Sequence, residues 1–427
     1  MFFLIYNLLS VFLAIPVVLY HLYRSVSRGR PPAFAERFGF LRKEDRAALL
    51  GRRVVWLHAV SVGEAIASRP LLRALKQQYP DHLILVTTTT ETGRSTATAF
   101  PEKDLCLYFP FDFLPAVRRT LDAVRPDAVV IMETEIWPNF SREASARNIP
   151  VILANGRISD RSYGRYLKFS WFFRQPLQLF SALCMQTAID RERIVAIGAP
   201  PGRTLAAGNL KYDMPLIHIS DSVRGKIREQ YRIPDDAMIL VAGSTHEGEE
   251  LILADVYRKL LAADGNLFMI LAPRHPERTP AVTAVLERAG IPFRRRTGID
   301  GSARFRCGEV LLVDTVGEMM SLYSVADIAF VGGSLVPAGG HNLLEPASRG
   351  VPCLFGPHMN NFREISGLVL GYGAGIQVEQ AEKLEESFRS LIDSAELRLV
   401  LGRNGLKLIR DNSGSAARHL DVIGRYL

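Results

Sequence analysis

Residues 330–346 read FVGGSLVPAGGHNLLEP: a short apolar run from Ile328 to Val331, a glycine-rich turn, then His341, Asn342 and Glu345. Glycines let backbone N–H groups approach a ligand closely, and the start of a helix offers unpaired donors to an anion. Asn342 and Glu345 are three residues apart, so both can face one ligand from a first helical turn. A carboxylate there suits a ribose diol better than a phosphate. The pattern fits a nucleotide-sugar site, and it fits equally a loop in which Asn342 and Glu345 are capping-box partners with no ligand at all.

Further reactive residues also follow apolar runs. Glu64 stands directly after Gly63 at a strand–helix junction, where a carboxylate can take a proton from an acceptor hydroxyl. The alternative is an acid favoured there by the helix dipole, which would lower its pKa and weaken it as a base. Glu133 and Glu135 alternate at the end of an apolar run, so only one is expected to face a ligand. Lys211 and Arg274 suit phosphate charge, Arg274 because its fork can bind two oxygens. The loops 58–65, 87–93, 155–157, 244–250 and 316–318, with His275 beside Arg274, occupy similar places. No acidic metal motif follows a strand, since Asp235 and Asp236 fall in a linker. No metal or cofactor is expected, and a leaving phosphate is left to Lys, Arg and helix N-termini.

The elements around these residues alternate. Short apolar strands are expected at 54–59, 83–87, 127–132 and 151–154, with helices at 66–78 and 113–124 between them. The run from Tyr166 to Leu183 reads as one aromatic helix, packed in the core, in a cleft wall or against lipid. The pattern breaks at 212–236 and restarts with strands at 238–242, 267–272, 310–313, 328–331 and 352–355. Buried strands joined by crossover helices imply parallel sheets covered on both faces. The expected architecture is α/β, GT-B: two doubly wound Rossmann-like domains, 24–220 and 221–427, facing a cleft. In such sheets ligands lie beyond the carboxyl ends of the strands, where all the residues named above fall. Cys106, Cys184, Cys307 and Cys353 are widely spaced, which fits neither a zinc site nor a disulfide framework.

Residues 2–23 contain no Asp, Glu, Lys or Arg, and these 22 residues are enough to cross a bilayer core as a helix. A membrane-anchor helix over 1–23 is expected, spanning or lying in one leaflet; a buried first helix is the alternative. Residues 24–53 carry nine basic and three acidic residues, a net +6 of the whole chain's +8. Basic residues beside an anchor keep the body in the cytoplasm and attract anionic lipid. Nucleic acid is not expected as a partner, because the basic run lacks interleaved exposed aromatics.

The motifs GEA, ETEIWPN, NGRIS, GNLKYD, AGSTHEGEE, APRHPER, GGSLVPAGGHNLLEP and GPHMNNF, in this order, resemble the 3-deoxy-D-manno-octulosonic acid (Kdo) transferases over nearly the whole chain. The resemblance implies an enzyme that takes Kdo from CMP-Kdo to a lipid A precursor at the cytoplasmic side of a bacterial inner membrane. It makes Glu64 the catalytic base. It assigns a glutamate of Glu133 and Glu135, together with Lys211, to transition-state stabilisation. It places CMP at Pro273 and Arg274, at Val316, Gly317 and Glu318, and at Asn342, Leu343, Leu344 and Glu345. A transferase using a UDP-sugar on a lipid-linked acceptor, or a non-catalytic membrane-tethered nucleotide-binding protein, remains the alternative.

Overall fold

The computed structural model describes residues 33–216, 219–301 and 303–427, and within the N-terminal segment residues 3–8, 10, 12, 16, 18, 19, 22 and 23. The chain divides into two compact units, residues 1–213 with 412–427, and residues 214–411.

The first unit is built on seven parallel strands: β1 (Val54–His58), β2 (Leu83–Thr88), β3 (Leu105–Tyr108), β4 (Ala128–Met132), β5 (Val151–Gly156), β6 (Ala182–Met185) and β7 (Thr204–Ala206), in the order β3-β2-β1-β4-β5-β6-β7. The second repeats the scheme with β8 (Met238–Thr245), β9 (Leu267–Pro273), β10 (Phe293–Arg295), β11 (Val310–Leu312), β12 (Ile328–Val331), β13 (Cys353–Phe355) and β14 (Gly375–Gln377), ordered β10-β11-β9-β8-β12-β13-β14. The central strands are continuous apolar runs buried along their whole length, as strands covered on both faces require. All strands are parallel, and the strand order switches sides at the neighbouring pairs β1/β4 and β8/β12. That switch opens the crevice in which a doubly wound sheet holds ligand.

The helices used below are α1 (Val62–Gln78), α2 (Asp160–Lys168), α3 (Ser170–Leu177), α4 (Glu249–Ala263), α5 (Leu344–Ala347) and α6 (Ser415–Ile423). α6 packs on α1, and its Val422 and Ile423 join the apolar core under the first sheet. The stretch expected as one helix over 166–183 is instead α2 and α3, divided at Phe169 and followed by strand β6. Its aromatic side chains divide too: Phe173 packs on the core, while Trp171 is 67 % exposed.

The described residues of the expected anchor are helical. Tyr6 donates to Asp112 at 2.7 Å, and Asn139 donates to Asn7 at 2.8 Å, so the start of this segment sits on the first unit. Leu4, Leu8, Phe12 and Leu19 are exposed. Among the described residues no helix is long and apolar enough to cross a membrane. The rest of the expected anchor, and the basic residues up to position 32, lie outside the described residues.

Candidate active site

In the first unit the loop after β1 ends on Ser61, the N-cap of α1. The Glu64 amide donates to Ser61 Oγ at 3.4 Å, the Ser61 hydroxyl donates to Glu64 Oε1 at 3.1 Å, and the Val60 amide donates to Oε2 at 2.8 Å. This is a capping box displaced by one residue, and it fixes the carboxylate against the end of the strand. Glu64 is 8 % exposed. Burial first, then the charge of Glu133, raises its pKa from 4.5 to about 7, despite the hydrogen bonds that favour the charged form. The direction is opposite to that expected from the helix dipole, and its causes are desolvation and like charge.

Glu133 and Glu135 do not alternate on a strand. β4 stops at Met132, and Glu133 takes a left-handed backbone with φ 56°. The strand that would have set them on opposite faces is absent at these positions, and the charges of both act on Glu64. Glu135 is itself lifted to about 7, by burial and then by Glu133. The turn is tied to the end of β5 by the Glu133 amide on Ala154 O at 2.8 Å and by the Arg157 amide on Thr134 Oγ1 at 3.0 Å.

Lys211 lies in a 3₁₀ turn, Leu210–Tyr212, that packs beside α1. The residue is half-buried, and its ammonium makes no hydrogen bond or ion pair with any described residue. His58, by contrast, belongs to the core. It stacks on Phe109 with ring centroids 3.8 Å apart, and burial pushes its pKa down to about 3, so it is neutral.

In the second unit the glycine-rich loop after β12 is arranged differently from expectation. Its amides do not wait for a ligand. Glu249, the first residue of α4 and fully buried, accepts from Gly333 at 2.7 Å, from Ser334 and Leu335 at 2.9 Å each, and from His246 at 2.9 Å. The anion-binding concavity is thus filled by the protein's own carboxylate. Gly332 is required by this close approach, since a Cβ there would stand 2.5 Å from Ser244 O.

α5 is only four residues long. Asn342 Oδ1 accepts from the Leu344 amide at 3.2 Å, and its Nδ2 donates to Glu345 Oε1 at 3.4 Å. Burial raises the Glu345 pKa against this bond and the charge of Arg274. Leu343 and Leu344 are fully buried, so their side chains pack inside the unit. His341 shares one proton with His246 across 2.8 Å between their Nε2 atoms, and burial followed by Arg274 lowers the His341 pKa to about 4.

Pro273, Arg274, Val316, Gly317 and Glu318 line one pocket together with Ser244. Arg274 is exposed; its guanidinium makes no hydrogen bond or ion pair with a described residue, though its charge acts on Glu345 and His341. Its loop is held by its own amide on Thr245 O at 3.0 Å and by the ion pair of Arg278 with buried Glu250 at 2.7 Å. Glu318 is a wall of the pocket. Its carboxylate takes hydrogen bonds from Tyr231 at 2.6 Å, Arg296 at 3.0 Å and Thr315, which outweigh burial and keep its pKa low. Among the described residues no group of three or more His, Cys, Asp or Glu could hold a metal ion.

Sequence reasoning missed Glu249 as an individual residue and missed the part played by Ser61. The latter was recoverable, because Ser61-Val-Gly-Glu64 carries the S-x-x-E spacing.

Among solved structures, the chain is similar to a UDP-GlcNAc 2-epimerase from Neisseria meningitidis, with TM-score 0.59 and 14 % identity over 87 % of this chain and 100 % of that one. It is also similar to MurG from Acinetobacter baumannii, with TM-score 0.54 and 16 % identity over 88 % and 99 %. Both likenesses bear on the fold, and with the two doubly wound sheets they define it as GT-B. At the level of sequence, residues 32–214 match the family described as 3-Deoxy-D-manno-octulosonic-acid transferase (kdotransferase). The 3-deoxy-D-manno-octulosonic acid transferase of Haemophilus influenzae is 37 % identical over 92 % of this chain and 91 % of its own length. The chain belongs to the Kdo transferase family and is a glycosyltransferase.

Proposed function

We propose that the enzyme transfers Kdo from CMP-Kdo to a hydroxyl of the tetraacylated glucosamine-disaccharide precursor of lipid A, lipid IVA, an early step of lipopolysaccharide core synthesis. The observation that carries this reading is Glu64, a buried carboxylate with a pKa of about 7 at the point where the strand order of the first sheet switches sides. A base is most effective when its pKa lies near the working pH. Glu64 takes the acceptor proton as the acceptor oxygen bonds to the anomeric carbon. The bond from that carbon to the phosphate breaks, and CMP leaves with the electron pair. Positive charge developing on the sugar, as in an oxocarbenium-like transition state, is met by the carboxylates of Glu133 and Glu135. Lys211, whose ammonium is uncommitted, stabilises the developing negative charge.

The second unit takes the nucleotide. Arg274, whose guanidinium makes no ion pair with a described residue, faces the phosphate, and the pocket of Pro273 and Val316–Glu318 takes the remainder of CMP. Cationic side chains carry this role without a divalent ion, and activity is expected to persist in EDTA. The exposed apolar residues of the N-terminal segment and the basic stretch beside it hold the enzyme at the cytoplasmic face of the inner membrane, where an acylated acceptor resides.

The test is an assay of purified enzyme with an acylated glucosamine disaccharide, comparing CMP-Kdo with UDP-sugars, each with and without EDTA. Transfer from CMP-Kdo alone, unaffected by EDTA, is the expected result. Transfer from a UDP-sugar overturns the donor assignment, and activity lost in EDTA and restored by magnesium overturns the metal-independent mechanism.

A further inference from the structure

Lys211 is held by an arrangement that begins at the far end of the chain. α6 carries His419, which is fully buried. Its Nδ1 lies 2.7 Å from Ser415 O, and its Nε2 accepts the Asn155 amide at 3.0 Å. A carbonyl can only accept and an amide N–H can only donate, so the proton sits on Nδ1 and the ring is neutral.

Asn155 ends the regular part of β5 in a left-handed conformation, φ 57°, which an asparagine tolerates better than most residues. Its side-chain oxygen accepts the Leu210 amide at 2.9 Å, at the first residue of the turn that bears Lys211. The second residue is fixed as well, since the Lys211 amide donates to Asn209 Oδ1 at 3.0 Å. On the other side of the turn, Asp213 caps the start of α6, accepting the amides of Gly414 at 2.5 Å, Ser415 at 3.2 Å and Ala416. The turn is therefore gripped from both ends by one helix: through His419 and Asn155 before Lys211, and through Asp213 after it. The Lys211 ammonium itself is left uncommitted.

We propose that His419 is a positioning residue for sugar transfer, which through Asn155 sets the turn that aims the Lys211 ammonium. This deepens the role given to Lys211 above and rests on it. His419 touches no substrate, so its removal acts on the transition state through Lys211 and leaves donor binding in the second unit unaltered.

The experiment is a cycle of four enzymes, wild type, K211A, H419F and the double variant, with H419Q alongside. Each is measured for kcat, for KM of the donor, and for hydrogen exchange in the peptide covering residues 206–214. Phenylalanine fills the ring's volume and removes the acceptor, whereas glutamine keeps an oxygen that can take the Asn155 amide. H419F is expected to lose roughly tenfold to a hundredfold in kcat, the scale of a small misplacement of a catalytic group. KM for the donor should stay within about twofold, exchange over 206–214 should accelerate, and H419Q should recover part of the loss. In the K211A background H419F should cost less than about twofold, as expected of groups acting as a unit.

An equal loss in both backgrounds, or a folded H419F with normal kcat and normal exchange, overturns the proposal. A K211A enzyme with wild-type kcat overturns the role of Lys211 instead, and the exchange data then judge the placement by itself. Should H419F fail to fold, H419Q and D213N carry the test: D213N must speed exchange over 206–214 and lower kcat without raising donor KM, and absence of both effects overturns the proposal.

Discussion

Glu64 and Glu249 stand in corresponding places of the two units. Each follows a glycine in the first turn of the helix after a strand beside the switch in strand order of its sheet, β1 for one and β8 for the other. Their surroundings differ. Glu249 receives four backbone amides, which tie it to the loop it holds together. Glu64 receives one amide and one hydroxyl, and it is buried near two further carboxylates. The same residue type at the same topological site fastens a loop in one unit and, under the function proposed above, accepts a proton in the other. The amide count and the neighbouring charges decide which.

The largest effect is expected from Glu64→Gln. Turnover should fall by roughly a hundredfold or more, the usual contribution of a general base, while CMP still binds. Near-normal turnover would remove Glu64 from the chemistry. The same variant tests the electrostatics through stability. A carboxyl whose pKa is raised on folding from 4.5 to about 7 contributes stability at low pH that is lost as pH rises through that interval. Thermal melts should therefore show the glutamine variant gaining on wild type as pH rises from about 4.5 to 7 and holding that gain above it, and an unchanged difference across pH would contradict the raised pKa.

Glu249→Ala comes next. It leaves four amides without an acceptor, those of Gly333 and Ser334 buried, at about 1–3 kcal/mol for each one that water does not reach. A lower melting temperature and weakened CMP binding are expected, with Glu249→Gln intermediate, because its amide retains one acceptor oxygen. Titration calorimetry with CMP reads the second effect; unaltered affinity in a destabilised protein would mean that the loop does not shape the nucleotide site.

Glu133→Gln is a smaller perturbation. Removing a neighbouring negative charge lets Glu64 ionise at lower pH, so the rising limb of the kcat profile, expected near pH 7, should move towards acid. A limb that stays in place would separate Glu133 from the base. Smallest for catalysis is deletion of residues 1–23. Turnover on detergent-dispersed acceptor should be largely kept, while membrane attachment in flotation assays becomes weaker and salt-sensitive. Attachment that survives high salt would direct attention to exposed Trp171 and its neighbours in α2 and α3.

The central strands could be read from the sequence because they are unbroken apolar runs bounded by turn residues, and Ile328–Val331 matches residue for residue. Strands β3, β6, β7, β10 and β14 escaped notice. All are three or four residues long; β3, β7, β10 and β14 are partly exposed, which dilutes the apolar signal, and the start of fully buried β6 was absorbed into the helix expected over 166–183. The pairing of Asn342 with Glu345 was visible as a three-residue spacing. Its form was not, because a capping box and a ligand clamp share that spacing. The capture of the Gly333–Leu335 amides by Glu249 joins residues more than eighty positions apart and leaves no local trace. Nor does anything in Ser415–Ile423 announce that this helix completes the first unit rather than the second.

That return of α6 bears on how the protein comes into being. Residues 214–411 are contiguous and can collapse as soon as they leave the ribosome, whereas the first unit must wait for residues 412–427. At about 5–20 residues per second, the interval between emergence of Asp213 and of its capping partner is on the order of ten to forty seconds. Through that interval the Lys211 turn lacks its brace, and the face of α1 that α6 will cover is open to chaperones and proteases. The first unit begins translation first and finishes folding last, so a ribosome that stalls within the second unit releases a product whose second sheet can be sound and whose catalytic half is incomplete.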